Sequence, residues 1–166
     1  MYRTAIALLL GFLLVLAGCG AKEETKTTGA ASPQHEAHEQ TGDLAETTKD
    51  IHTLPSFLSS YPKEVQQVYM VAGQNHELLN WIPCYCGCGE SVGHRSNKNC
   101  FIREVKANGE VVWDSHATTC VNCMEIALES ASMKQDGKSA LEIRKYIDNK
   151  YKEGFAKPTP TPMPAN

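Results

Sequence analysis

The stretch Cys100–Asp114 reads C-F-I-R-E-V-K-A-N-G-E-V-V-W-D. β-Branched and aromatic residues flank the pair Asn108-Gly109, and both central positions of a two-residue hairpin turn need positive φ, which Asn and Gly tolerate best. The stretch predicts a two-stranded ribbon. A ribbon this small is marginal alone and must lie on helices or be pinned by cross-links, and the flanking sequence offers both. Upstream, Pro62 suits a helix start, and Val65, Val68, Tyr69 and Ala72 follow at helical spacing before Gly73; this predicts a helix at about 62–73. A further turn over 77–81 gives Leu78, Leu79, Trp81 and Ile82 to the core before Pro83 stops it. Downstream, Thr118 or Thr119 stands where a cap is needed for a helix that runs through Cys120, Cys123, Ile126, Ala127, Leu128 and Ala131 to about Lys134, ended by Asp136-Gly137. Ser139 and Glu142 make a capping box for a last helix with an inward stripe of Ile143, Tyr146, Ile147 and Tyr151. The expected fold is mainly α with one small β-hairpin, a compact cysteine-rich helical domain over about 54–156.

A chain of 166 residues holds one such domain plus appendages. With 16 Lys and Arg against 19 Asp and Glu, the net charge of −3 supplies no positive field to hold a nucleic acid, so no nucleic-acid partner is expected. Seven cysteines, in contrast, are far above the ordinary share and call for a chemical reason.

The N-terminal stretch has Arg3, the apolar run Ala5–Leu16 and small residues at Ala17 and Gly18. This is the pattern of a signal peptide over 1–18, and the run is short for a transmembrane span. Leu16-Ala17-Gly18-Cys19 resembles the lipobox of bacterial lipoproteins, which implies cleavage before Cys19 and attachment of membrane lipid to its sulfur, so that the protein is held at the extracytoplasmic face of the bacterial cell membrane. There the other thiols meet an oxidising compartment. Residues 19–53 are rich in Lys, Glu, Thr, Ala and Gln and read as a disordered tether, in which His35 and His38 are solvated spacers. Residues 157–166, K-P-T-P-T-P-M-P-A-N, read as a short Pro-rich tail with nothing to pack.

Six cysteines, at 84, 86, 88, 100, 120 and 123, crowd into forty residues that also hold His94 and His116. Pro83-Cys84-Tyr85-Cys86-Gly87-Cys88 resembles the proteins with a PCYCGC motif, many of them bacterial lipoproteins. The resemblance runs from about Tyr61 through Cys120-Val121-Asn122-Cys123 to about Tyr151, and it implies the lipoprotein reading without an activity. The chemistry comes from the residues. Extended, the alternate thiols of C-x-C-x-C stand roughly 6.5 Å apart, too far for one ion bound at about 2.3 Å, so the segment must curl; Pro83 fixes one angle, and Gly87 and Gly89 admit positive φ. A disulfide within C-x-C is expected to be strained. Cys120 and Cys123 form a second chelating pair at a helix start, where thiolate is favoured.

Six sulfurs exceed one tetrahedral site, and soft thiolates in surplus suit Cu(I), with Zn second. The expected ligands are Cys84, Cys86, Cys88, Cys120 and Cys123, with Cys100 and His116 as further members and His94 and Met124 as weaker candidates. His52 and His76 read as surface residues, and Tyr85 and Trp81 as walls that keep solvent from the thiolates. The function so read is a membrane-anchored module that sequesters a soft ion or exchanges it with a metal-donor or acceptor protein. Two alternatives stand beside it: a domain stapled by three disulfides, and a thiol–disulfide oxidoreductase using Cys120 and Cys123. No catalytic acid–base pair or nucleophile triad is visible, so an enzyme is not expected.

Overall fold

The computed structural model describes residues 35–37 and 42–165. The expected signal peptide, the expected lipid-attachment residue Cys19 and most of the expected tether lie outside them. In chain order the elements are β1 (His35–Ala37), β2 (Leu44–Thr48), α1 (Lys63–Gln74), α2 (His76–Leu79), α3 (Gly89–Val92), β3 (Ile102–Val105), β4 (Val111–Asp114), α4 (Val121–Gln135) and α5 (Ala140–Lys150). Turns of 3-10 helix lie at Ser56–Ser60, Asn97–Cys100 and His116–Thr119.

The predicted ribbon is present as β3 and β4, with Ile102 opposite Trp113, Val105 opposite Val111 and a bulge between Ile102 and Glu104. Its turn is wider than a two-residue link: the Gly109 amide donates to the Lys106 carbonyl and the Lys106 amide to the Glu110 carbonyl, while Gly109 takes φ +88°. The ribbon is half of an antiparallel sheet ordered β1-β2-β4-β3. Both additional strands come from the stretch expected as disordered tether. Leu-Ala-Glu-Thr-Thr carries little apolar bulk, and what holds β2 is partnership: its backbone pairs with β4, from Ala45 opposite Asp114 to Thr48 opposite Val111. Its polar side chains are also engaged. The Trp113 indole donates to Thr48 Oγ1 (2.8 Å), and the buried Glu46 carboxylate accepts from the Ser56 amide, the Ser56 hydroxyl and the Phe57 amide.

Helices α1, α4 and α5 have the expected registers within a few residues. Tyr69 of α1 lies edge-on to Phe57 and Phe101, and its hydroxyl donates to the Asp114 carbonyl at 2.8 Å. Gly73 does not end α1. It is buried one residue before the end, where a Cβ would come within 2.9 Å of the Trp113 ring, so its lack of a side chain lets the helix approach the sheet. Helix α4 begins after Cys120 without a side-chain cap; Thr118 instead donates to the Ser115 carbonyl and the Tyr61 hydroxyl. The Ser139–Glu142 capping box opens α5. Ile143, Ile147 and Tyr151 are buried as expected, whereas Tyr146 is exposed and Arg144 is buried beside them.

The Pro-rich tail packs. The Thr159 amide donates to the Cys84 carbonyl, and Thr159 Oγ1 accepts from the Cys84 amide. Thr161 Oγ1 donates to the Arg95 carbonyl, and the Arg144 guanidinium donates to the Thr161 and Pro162 carbonyls. An extended segment with its own donors and acceptors needs no apolar bulk when a neighbouring loop has unpaired backbone groups to offer. Among the described residues, no helix is long and apolar enough to cross a membrane.

Candidate metal centre

The sulfur-rich loop begins where Pro83 ends the turn after α2. The Asn97 amide donates to the Ile82 carbonyl at 2.7 Å, which brings the turn carrying Cys100 beside Cys84. Gly87 takes φ +82° and folds the chain back, so that the sulfurs of Cys84, Cys86 and Cys88 converge within 4.8 Å of one another. Gly89 is not at positive φ; its role is room, because a Cβ there would meet Thr159 Cγ2 at 2.5 Å. The expected curl is present, together with a feature that was not expected: Cys86 and Cys88 are joined by a disulfide, their Cα atoms 5.6 Å apart. The turn at Gly87 makes that short ring possible.

From the other side come Cys100, at the end of its 3-10 turn, and Cys123, one turn into α4. Cys84, Cys100 and Cys123 are buried free thiols, and they form a triangle. Their sulfurs are 3.6 Å apart between Cys84 and Cys100, 3.5 Å between Cys84 and Cys123, and 3.0 Å between Cys100 and Cys123. Sulfurs held at about 2.3 Å by one ion lie roughly 3.7–4.0 Å apart, so the two edges at Cys84 have to open by a few tenths of an ångström and the Cys100–Cys123 edge by nearly 1 Å to hold one. The buried Asn97 side chain donates to the Cys123 carbonyl at 3.1 Å and fixes the head of α4. Cys84 Sγ also lies 2.8 Å from Cys86 Sγ.

The triangle carries charge unevenly. Hydrogen bonds from the Cys100 and Cys123 thiols, helped by the Cys86 amide, hold Cys84 as a thiolate with a pKa of about 3. Cys123 is pushed up because its single S–H proton is shared with the close sulfurs of Cys100, Cys120 and Cys84 in a dry setting. Cys100 is also raised: the bond from Cys123 favours its thiolate, but its own bond to Cys84, complete burial and the neighbouring thiolate outweigh that. The metal-free site is thus one thiolate solvated by two thiols.

Next to the sulfurs stand the imidazoles. His116 Nε2 lies 3.0 Å from Cys88 Sγ, and its Nδ1 lies 2.8 Å from Asp43 Oδ2. His94 Nδ1 lies 3.6 Å from Cys100 Sγ, and the two rings meet edge to face at 4.8 Å. Burial, followed by the neighbouring His116, lowers the pKa of His94. Donor atoms of Cys88, His94 and His116 converge within 4.8 Å, as do those of Cys86, His116 and Cys123.

Cys120 is set apart. Its extended backbone (φ −122°, ψ 97°) precedes the helix, its thiol is half-buried, and it joins none of the convergent trios although it bonds to Cys123. Tyr85 also departs from its expected role: its hydroxyl donates to Asp148 at 2.7 Å and its ring stacks on Tyr151, tying the loop to α5. The Trp81 ring lines a surface cleft with Glu77, Lys138 and Ile143. Met124 packs against the core. Asp43, which orients His116, was invisible in the sequence because it precedes a strand that composition concealed.

The proteins described as "Protein of unknown function with PCYCGC motif" match residues 6–164. The chain belongs to this family. In this PCYCGC protein the motif supplies Cys84, Cys86 and Cys88 of the cluster, while Cys100, Cys123, His94 and His116 come from the segment after it. No curated protein and no solved structure matches the chain. Convergent cysteines and histidines able to hold a metal ion are what the PCYCGC protein presents.

Proposed function

We propose that this PCYCGC protein binds a soft metal ion in the Cys84–Cys100–Cys123 triangle, Cu(I) in preference to Zn(II). The observation that carries the reading is the approach of three buried sulfurs, from three chain segments, to 3.0–3.6 Å with only one proton fewer than a set of neutral thiols. The Cys84 thiolate already draws the other two sulfurs around it, and a thiophilic cation that displaces their protons binds all three at once. A three-sulfur set suits Cu(I). Where the Cys86–Cys88 bond is open, Cys86 adds a fourth sulfur and Zn(II) becomes a competitor. The lipobox at Leu16–Cys19 supports a lipid-anchored location at the extracytoplasmic face. There the protein would sequester the ion or exchange it with a donor or acceptor protein, ligand by ligand and without catalysis.

The test is an anaerobic titration of the full-length chain with Cu(I) and with Zn(II) against chromophoric chelators. One ion is expected to be retained, Cu(I) more tightly. Cys123→Ser is expected to lower affinity beyond the roughly 10–100-fold that outer-shell changes cost. Loss of every ion to the chelator while the free thiols remain reduced would refute the reading.

One observation favours a second reading, thiol–disulfide exchange. The Cys84 thiolate, 2.8 Å from Cys86 Sγ, can attack that sulfur, forming Cys84–Cys86 and releasing Cys88 as a thiolate beside His116. This supports exchange at the motif; at the C-x-x-C pair Cys123 is wholly buried, so Cys120 would be the thiol to meet an outside disulfide there. Trapping of Cys88 by an alkylating agent in metal-free protein, mapped by mass spectrometry, distinguishes it.

A further inference from the structure

The sulfur triangle leaves Cys88, His94 and His116 unused, and their geometry is that of a second site. His116 is aimed: Asp43 Oδ2 lies 2.8 Å from Nδ1, which leaves Nε2 as the ring nitrogen that faces Cys88 Sγ at 3.0 Å. The ring is further fixed by its backbone, because the His116 amide donates to the Asp114 carboxylate at 2.7 Å. A carboxylate behind a histidine is the usual support of an imidazole ligand, since it sets the tautomer and raises ligand basicity. His94 is 5% exposed, and its ring meets that of His116 at 4.8 Å. Two imidazoles and one sulfur therefore converge within 4.8 Å. A cavity of about 510 Å³ between Gly87, Gly93 and the docked tail at Lys157–Pro160 has His94 in its wall, so one of the three donors borders open space.

Cys88 is tied to Cys86, so the two sites are coupled through one bond. We propose that reduction of the Cys86–Cys88 disulfide arms a second site, Cys88–His94–His116, which takes one Cu(I) ion beside the ion of the sulfur triangle. The step balances with an external dithiol as reductant: it is oxidised to its own disulfide, and two electrons and two protons pass to Cys86 and Cys88. The Cys88 thiol then loses its proton on binding the ion. One thiolate with two imidazoles is a ligand set that copper accepts in three-coordinate form. The protein thereby holds one ion when oxidised and two when reduced. This rests on the triangle binding an ion, and the experiment separates the two ideas.

Full-length protein, with the Cys86–Cys88 bond intact or opened by a phosphine that is then removed, is loaded anaerobically with Cu(I) from an acetonitrile complex and weighed by native mass spectrometry. One ion in the oxidised form and two in the reduced form are expected. The second equivalent should move the imidazole nitrogen resonances of His94 and His116 in reduced wild-type protein, a readout that needs no variant to fold. The reduced double variant His94→Ala, His116→Ala should hold one ion. One ion in both redox forms overturns the second site and leaves the triangle standing; none in either overturns both. Two ions in the oxidised form, two in the reduced double variant, any other count in reduced wild type, or imidazole resonances unmoved by the second equivalent would each overturn the proposal.

Discussion

At the head of α4, Cys120 has an extended backbone and a half-exposed thiol, while Cys123, one turn later, is sealed in the core. The hydrogen bond from Cys123 lowers the Cys120 pKa to about 6. Its alkylation rate should therefore level off by about pH 7, where an ordinary cysteine is still climbing toward its pKa of about 8.5. Cys123→Ala should move that profile to higher pH, which stopped-flow labelling followed by peptide mapping would reveal. His94 makes a different prediction for the metal-free protein. Burial lowers its folded pKa, so below about pH 6.5 the unfolded chain takes up a proton that the folded chain refuses. Stability should fall as pH drops through that range, and His94→Gln should flatten the trend in urea midpoints measured from pH 7 to pH 5. The C-x-x-C spacing announced a pair, but it carried no sign that only its second member turns inward. That division depends on where the helix begins, and the 3-10 turn at His116–Thr119 delays it past the threonines that looked like caps.

Among the elements, the docked tail offers the sharpest test of local packing. Gly89→Ala should push Thr159 Cγ2 from its 2.5 Å approach, loosen the Thr159–Cys84 backbone bonds and speed loss of bound ion to a chelator by about tenfold, the lower end of outer-shell effects. Adding Thr159→Ser removes the offending methyl, retains the hydroxyl that accepts from the Cys84 amide, and should restore most of the lost retention. Legibility at this scale followed apolar periodicity. Helices α1 and α5 and the ribbon were readable because their core residues recur at helical or alternating spacing. Strand β2 and the tail were not, because Ala45, Glu46, Thr48, Thr159 and Thr161 are buried through backbone pairing and hydroxyl or carboxylate bonds. Nothing in a polar segment's composition distinguishes groups bonded to water from groups bonded to a distant part of the chain.

For the molecule as a whole, the charge distribution in the triangle predicts how loading proceeds. With Cys84 ionised and Cys100 and Cys123 protonated, capture of one ion by the three sulfurs should release about two protons near neutral pH, measurable in a weakly buffered calorimetric or pH-stat titration. Release of none would mean that the ion sits elsewhere. The convergence of loop and helix was the part of the site that followed from the ribbon returning the chain; the imidazole side was only half visible, since His116 needs Asp43 from the N-terminal side of β2. That dependence has a kinetic consequence. Cys84 and Cys100 are separated by 16 positions and Cys100 and Cys123 by 23, whereas Leu44 must find Ser115 across 71. Closing the longer loop is the slower search. On loop-closure entropy alone the thiols are expected to gather before the strand that steadies His116, an order that pulsed alkylation of the cysteines, set against hydrogen exchange at the Leu44 amide during refolding, would check.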